Sequence, residues 1–288
     1  MAFSGTVRVL INGTWTTLTY NSSTGAYEGT ITAPGQTSFN LTGGAYEVTA
    51  EATNTAGTTS TKTASLVVKE TVKPVITISS PSSGAYVSNN QQPIVFTVTD
   101  ESGGSGVNLA SLVVKIDGTQ VTSGIVKTAI TNGYSVTVTP AALSDGAHTV
   151  TISCSDNDGN IAAEKSTTFT VDTVPPTLNV TSPSDGIITN NASLVVSGNT
   201  NDATSSPVTL TVNGSAVTVG SNGSFSTTIT LSEGENTITI KVVDKAGKTT
   251  TITRTVTLDT SAPNIESITI TPNPVNTGAT MTVKVVVK

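Results

Sequence analysis

This 288-residue chain has one histidine, His148, and one cysteine, Cys154, so any imidazole or thiol chemistry would have to run through those two side chains. A nucleophile needs a base within hydrogen-bond reach and a third group to orient that base. With its carboxylates dispersed among turns, the sequence assembles no such set, and no catalytic activity is expected. Cys154 falls eight residues after Gly146, on the same alternation as Val150 and Ile152. It is read as a buried, inert thiol. His148 lies two residues past that glycine, where sister segments carry Tyr46 and Asn236. A corner side chain is expected there rather than a base. Asp100 and Glu101 are adjacent but open a Gly/Ser-rich loop running to Gly106, where preorganisation is expected to be poor.

The run Asp156-Asn157-Asp158-Gly159-Asn160 invites a calcium reading, with Asp156, Asp158 and Asn160 as ligands, because Ca²⁺ takes several oxygens and alternating carboxylates supply them. The run lacks the distal Glu and the length of an EF-hand loop. The same turn appears as Asn54-Thr55-Ala56-Gly57 and Asp244-Lys245-Ala246-Gly247, where the Asn or Asp caps the turn and Gly takes positive φ. Turn chemistry covers all three segments and calcium only one, so no metal or other cofactor is expected. Six of the eleven aromatic residues (Phe3, Trp15, Tyr20, Tyr27, Phe39, Tyr46) lie within the first 50 positions. Trp15, Tyr20 and Tyr27 are the candidate surface or partner contacts. The competing account is that a small bead needs bulky side chains to fill a thin core.

The elements that would position these residues are strands. Thr accounts for 58 residues, Val, Ser, Asn and Gly are also abundant, and charged residues are only 11%. β-Branched residues fit a pleated, half-buried surface, and an all-β protein follows. Net charge is −6 with no Lys/Arg run, which argues against a nucleic-acid partner. No apolar stretch approaches the length of a membrane-spanning helix, and no membrane insertion is expected. The first residues show neither the basic nor the apolar part of a cleaved export signal.

Three segments repeat one pattern. Gly44, Gly146 and Gly234 each precede an alternating strand, a second glycine follows 13 residues later (Gly57, Gly159, Gly247), and a proline 16 or 17 residues after that (Pro74, Pro175, Pro263). Spacings of 102 and 88 residues suit small domains. In the third repeat, strands are predicted over residues 177–180, 192–198, 207–212, 216–219, 224–230, 236–243 and 249–258, with an Asn213-Gly214 hairpin. Seven strands in such a span predict a two-sheet sandwich.

The Ser80-Pro81 and Ser182-Pro183 turns, Asn213-Gly214, Gly223-Ser224-Phe225, Leu231-Ser232-Glu233-Gly234-Glu235-Asn236, Asp244-Lys245-Ala246-Gly247-Lys248 and Asp259-Thr260-Ser261-Ala262-Pro263 make the chain resemble the bacterial Ig-like repeats of surface adhesins, phage tail proteins and accessory modules of carbohydrate-active enzymes. The resemblance implies tandem immunoglobulin-like β-sandwich domains in an elongated array. The expected divisions are residues 1–73, a bead lacking its first two strands; 74–175 and 176–263, two full beads; and 264–288, the first strands of another, truncated or donated to a neighbouring copy or a partner. The implied role is non-catalytic: spacer or decoration in a phage tail or phage-like contractile particle, present in several copies, touching other virion proteins and a host cell-surface glycan. A cell-surface adhesin or cell-wall stalk, and an accessory module of a carbohydrate-active enzyme, are the alternatives.

Overall fold

The computed structural model describes residues 3–288, and their regular structure is β-strand, with the 3₁₀ turn Ser38–Asn40 as the one helical element among them. Among the described residues, no helix is long and apolar enough to cross a membrane. The chain divides into two compact units, one ending at Thr173 and the other starting at Val174.

The first unit contains a complete sandwich. A five-stranded sheet runs, in spatial order, Thr119–Gln120, Val107–Ile116, Gly146–Asp156, Lys165–Val171 and Ala85–Val87. A four-stranded sheet runs Ile125–Ile130, Gly133–Val138, Ile94–Thr99 and Val75–Ser80. Period-two alternation points Ile94, Phe96 and Val98 inward from one sheet and Val150, Ile152 and Cys154 inward from the other. All six are buried in one core with Phe169. Each fully buried Val, Ile or Phe contributes roughly 1.5–3 kcal/mol of transfer free energy.

The second unit repeats the plan. Thr177–Ser182, Ser193–Asn201 and Ser224–Thr230 form one sheet; Ile187–Thr189, Thr249–Leu258, Gly234–Val243, Thr209–Val212 and Ser215–Val217 form the other. Leu194, Val196, Leu210, Phe225, Ile238, Ile240 and Val256 fill the space between them. The strands predicted for this repeat are present. One more was missed, the three-residue strand Ile187–Thr189, which pairs in parallel with Thr249–Leu258. It arises because the first strand changes sheets. Thr177–Ser182 pairs antiparallel with Ser193–Asn201, and Pro183, lacking an N–H, closes that ladder before the chain crosses to the other sheet. Val75–Ser80, Pro81 and Ala85–Val87 do the same in the first unit.

Residues 5–66 form a single four-stranded sheet in the order Thr14–Thr17, Gly5–Ile11, Tyr46–Asn54, Thr59–Leu66. These strands stand in the same relation as Ser215–Val217, Thr209–Val212, Gly234–Val243 and Thr249–Leu258. Among the described residues, the short hairpin Thr19–Asn21/Ala26–Glu28 and the 3₁₀ turn Ser38–Asn40 complete this region. Val9 and Tyr46 are the buried large side chains of this region, and Ala50, on the face of Val9, is exposed. At the other end, Ile265–Thr271 and Thr282–Val287 pair as a hairpin. Directly opposed residues share a face, so Ile268 with Val285 and Ile270 with Val283 make an apolar face. All four are exposed.

Candidate functional site

His148 sits on strand Gly146–Asp156 and is buried against Phe169, ring centroids 5.7 Å apart. Its Nε2 lies 2.8 Å from the Ser144 carbonyl oxygen and its Nδ1 2.7 Å from Asp117 Oδ2. Both partners are acceptors, an arrangement that favours a proton on each ring nitrogen. Burial opposes that charge, but the hydrogen bonds to Asp117 and Ser144 and the Asp117 charge outweigh it and raise the pKa. Asp117 in turn shows a lowered pKa: partial burial works against it, and the His148 and Thr149 N–H groups and the imidazolium charge win. Asp117 Oδ1 accepts from the Thr149 backbone N–H at 2.8 Å, locking the Asp117-Gly118 turn to the strand. Neither ring nitrogen is left to act as a base, so this is a structural corner. Cys154 lies in the core, where burial, with smaller help from the Asp156 and Asp100 charges, pushes its thiol up to about 11.

The three candidate calcium ligands do not converge as a set. Asp156 Oδ1 accepts the backbone N–H groups of Gly159 and Asn160 at 2.6 and 2.8 Å, the turn cap expected from the sister segments. In those segments Asn54 Oδ1 accepts from Ala56 and Thr58, and Asp244 Oδ1 from Lys248. Asn160 donates its amide to Asp156 Oδ2 at 2.7 Å and to the Glu70 carbonyl at 3.2 Å. Asp158 Oδ2 faces the first sheet's outgoing segment, accepting from the Thr37 hydroxyl and from the Glu70 backbone N–H. Asp158 and Asn160 therefore build a joint.

What Asp156 does meet is Glu70 and Asp100, whose carboxylate oxygens and its own lie within 4.8 Å of one another. Asp100 was expected to be poorly held; it is instead buried, its Oδ2 accepting the Gly106 N–H at 2.8 Å. Glu70 Oε1 accepts the Ser105 N–H. Three oxygens here are buried with no donor: Glu70 Oε2, Asp100 Oδ1 and Glu101 Oε2. A Cβ at Gly104 would stand 2.8 Å from both the Glu101 carboxylate and Glu70 Oε2, so the absence of a side chain at that position lets the two carboxylates close in. Burial pushes the Asp100 carboxyl up; the Gly106 N–H holds it down, but the charges of Glu70, Asp156 and Asp158 add to the upward push. Glu70 was missed in the sequence. Its one signal was weak: it stands four residues before the joint proline Pro74, as Asp259 stands before Pro263.

Trp15 and Tyr20 are not core fillers, and Tyr27 is half-buried. Trp15 is 39% and Tyr20 37% exposed. Trp15 lies opposite Leu10, on the face away from Val9. The Arg8 guanidinium sits 4.2 Å from the Trp15 ring centroid and is held by Glu51, with Nε and Nη2 each 2.7 Å from Oε1. Tyr20 and Tyr27 oppose each other on the small hairpin, rings 5.3 Å apart, with the Tyr27 hydroxyl donating to the Phe3 carbonyl at 2.6 Å. The packing account holds for the buried Tyr46 but not for Trp15 and Tyr20: among the described residues of this region, only the short hairpin lies beside the four-stranded sheet, and no full second layer covers those rings.

Two-sheet sandwiches whose first strand changes sheets at a proline, repeated along one chain, define an array of immunoglobulin-like domains. Residues 74–173 match the bacterial Ig-like domain family, and residues 176–260 match the family of glucodextranase domain B. The chain is a bacterial Ig-like repeat protein. It is 32% identical over 126 residues to bacillopeptidase F of Bacillus subtilis (strain 168), a stretch covering 44% of this chain and 9% of that protein's length. Among solved structures it is similar to the fibronectin(III)-like modules of Clostridium thermocellum CbhA, with 20% identity, a TM-score of 0.39, and 64% of this chain and 94% of that one covered. It is also similar to a tetra-tandem repeat in the extending region of a large adhesion protein, with 21% identity, a TM-score of 0.35, and 100% and 81% covered.

Proposed function

We propose that this chain is a non-catalytic structural and adhesive array, spacing and decorating a larger assembly and making weak surface contacts multiplied by copy number. The observation that supports this best is the use made of its polar groups. Asn54, Asp156 and Asp244 cap the same turn in three repeats, and His148 has both nitrogens tied to its own corner. The setting we favour is a phage tail or phage-like particle, with other particle proteins and a host glycan as partners. A surface carried by Thr, Ser and Asn rather than by charge fits that setting. The exposed apolar face of the Ile265–Thr271/Thr282–Val287 hairpin is a natural place for another strand or a neighbouring copy to cover.

The test is binding and location together. On a glycan array, sugar binding that drops at least tenfold in Trp15→Ala would place the contact on the Arg8–Trp15 face. Antibodies raised to the chain should label purified particles. Labelling of the cell wall instead would move the protein to the adhesin or stalk reading. The match of residues 176–260 to glucodextranase domain B favours a second reading, an accessory module of a carbohydrate-active enzyme. Turnover of a polysaccharide by the purified chain would refute the non-catalytic role.

A further inference from the structure

We propose that the free edge of strand Ile125–Ile130 pairs with the same strand of a second copy of this chain, joining two four-stranded sheets across a two-fold axis at Thr128. The strand lies outermost in the sheet Ile125–Ile130, Gly133–Val138, Ile94–Thr99, Val75–Ser80. The second sandwich builds its core without such a strand: its corresponding sheet ends at Ser224–Thr230, with the isolated bridge Val219–Phe225 beyond it. That edge buries Phe225 and turns Ser224, Ser226 and Thr228 to the outer face. The added strand instead turns Val126, Thr128 and Ile130 outward, with Val126 62% and Ile130 41% exposed.

Sheet edges are ordinarily guarded by short strands, prolines, bulges or charge, because their unpaired backbone groups invite another strand. In this sandwich the edges Thr119–Gln120 and Ala85–Val87 are two and three residues long. Val75–Ser80 is flanked by Pro74 and Pro81 and carries a register shift. Ile125–Ile130 has six residues in unbroken register and no proline. Its one charge is Lys127, opposite the buried Val136 and therefore on the inner face. The Lys127 Nζ lies 3.3 Å from the Leu109 carbonyl oxygen, drawn under the sheet rather than across the edge.

The ladder fixes which backbone groups face the open side. The Thr139 N–H donates to the Gly124 carbonyl at 2.9 Å, and antiparallel bonding recurs at every second residue, so Val126, Thr128 and Ile130 bond inward to Gly133–Val138. The N–H and C=O groups of Ile125, Lys127 and Ala129 point outward. Two such edges can run antiparallel in several registers, and charge selects among them. Centring the axis on Lys127 would set two ammonium groups face to face. Centring it on Thr128 lets Lys127 exchange backbone bonds with the second copy's Ala129, while Val126 meets the second copy's Ile130 on the outer face. Such a contact is isologous and closes at two copies. A six-residue edge is about 20 Å long, small beside a permanent interface, so the pairing is weak for one pair of chains and strengthens where many copies are assembled. It stands whether the array decorates a particle or a cell surface.

Analytical ultracentrifugation of the full chain over a concentration series should show a monomer–dimer equilibrium with a dissociation constant between about 1 µM and 1 mM. Thr128 is exposed, so Thr128→Lys should leave the melting temperature unchanged, yet it places like charges on the axis and should weaken the dimer about tenfold or more. Ala129→Pro removes an outward N–H without costing a bond inside the chain and should weaken it as well. In Thr128→Cys the opposed Cα atoms of a dimer lie about 4.5 Å apart, within disulfide reach. With oxidised glutathione that variant should form a covalent dimer, whereas Thr251→Cys, exposed on the second sandwich, should not; the buried Cys154 is out of reach. A chain that stays monomeric up to about 1 mM, or a dimer that Thr128→Lys leaves intact, would overturn the proposal. A dimer lost in Ile268→Lys instead would place the contact on the terminal hairpin and equally end it, as would a Thr128→Cys chain that cross-links no faster than Thr251→Cys.

Discussion

His148 is the one imidazole in the chain, and its environment makes it a fastener whose strength depends on its proton. Because its folded pKa is raised, the stability it contributes is complete below its unfolded pKa of about 6.5 and is lost as pH rises through the folded value. Asp117 has the opposite sign: its folded pKa is lowered, so its contribution is present above about pH 4 and lost as pH falls through the folded value. The pair should therefore support the first unit most strongly between about pH 4 and 6.5. Melting temperature followed across pH should show an alkaline decline that His148→Gln flattens. Asp117→Ala should cost about 1–3 kcal/mol near pH 6, measured by denaturant unfolding, because it leaves the buried Nδ1–H without an acceptor. A variant with wild-type stability and an unchanged pH profile would show that the corner is held by packing on Phe169 alone.

At the level of strands and turns, two glycines serve for different reasons. Asn213 and Gly214 both adopt left-handed conformations, φ 48° and 81°, which is the hairpin geometry whose twist matches the flanking strands. A Cβ at Gly214 would meet nothing, so Gly214→Ala should cost only its backbone strain, about 1–2 kcal/mol. Gly198 is paired with Phe225 across the sheet, and a Cβ there would lie 2.1 Å from the Asn179 carbonyl oxygen and 2.9 Å from the Phe225 ring. Gly198→Ala should be the worse substitution, displacing a ladder strand and a core ring together, and chemical denaturation of the two variants side by side would rank them. The Asn-Gly hairpin was legible because its chemistry is confined to two neighbouring residues. The role of Gly198 was not, since it depends on a ring 27 positions away in the sequence.

For the molecule as a whole, each complete sandwich has its own core, one around Phe96 and Phe169, the other around Phe225 and Ile238. Phe96→Ala and Phe225→Ala should each cost about 3–5 kcal/mol. In calorimetry each should lower a different melting transition; one shared transition shifted equally by both would show that the two cores melt as one. The strands, their inward faces and the three capped turns could be derived from the order of residues, because alternation and Asx-Gly chemistry act between near neighbours. The parallel strand Ile187–Thr189 could not, being too short for a period to register. Tertiary structure alone decided that Trp15 and Tyr20 stay at the surface and that Asp156 meets Glu70 and Asp100 while Asp158 turns to Thr37 and the Glu70 N–H. Ring burial depends on whether a second sheet covers the first, and a carboxylate cluster depends on which loops the folded chain brings to one point; neither is encoded in the spacing of adjacent residues.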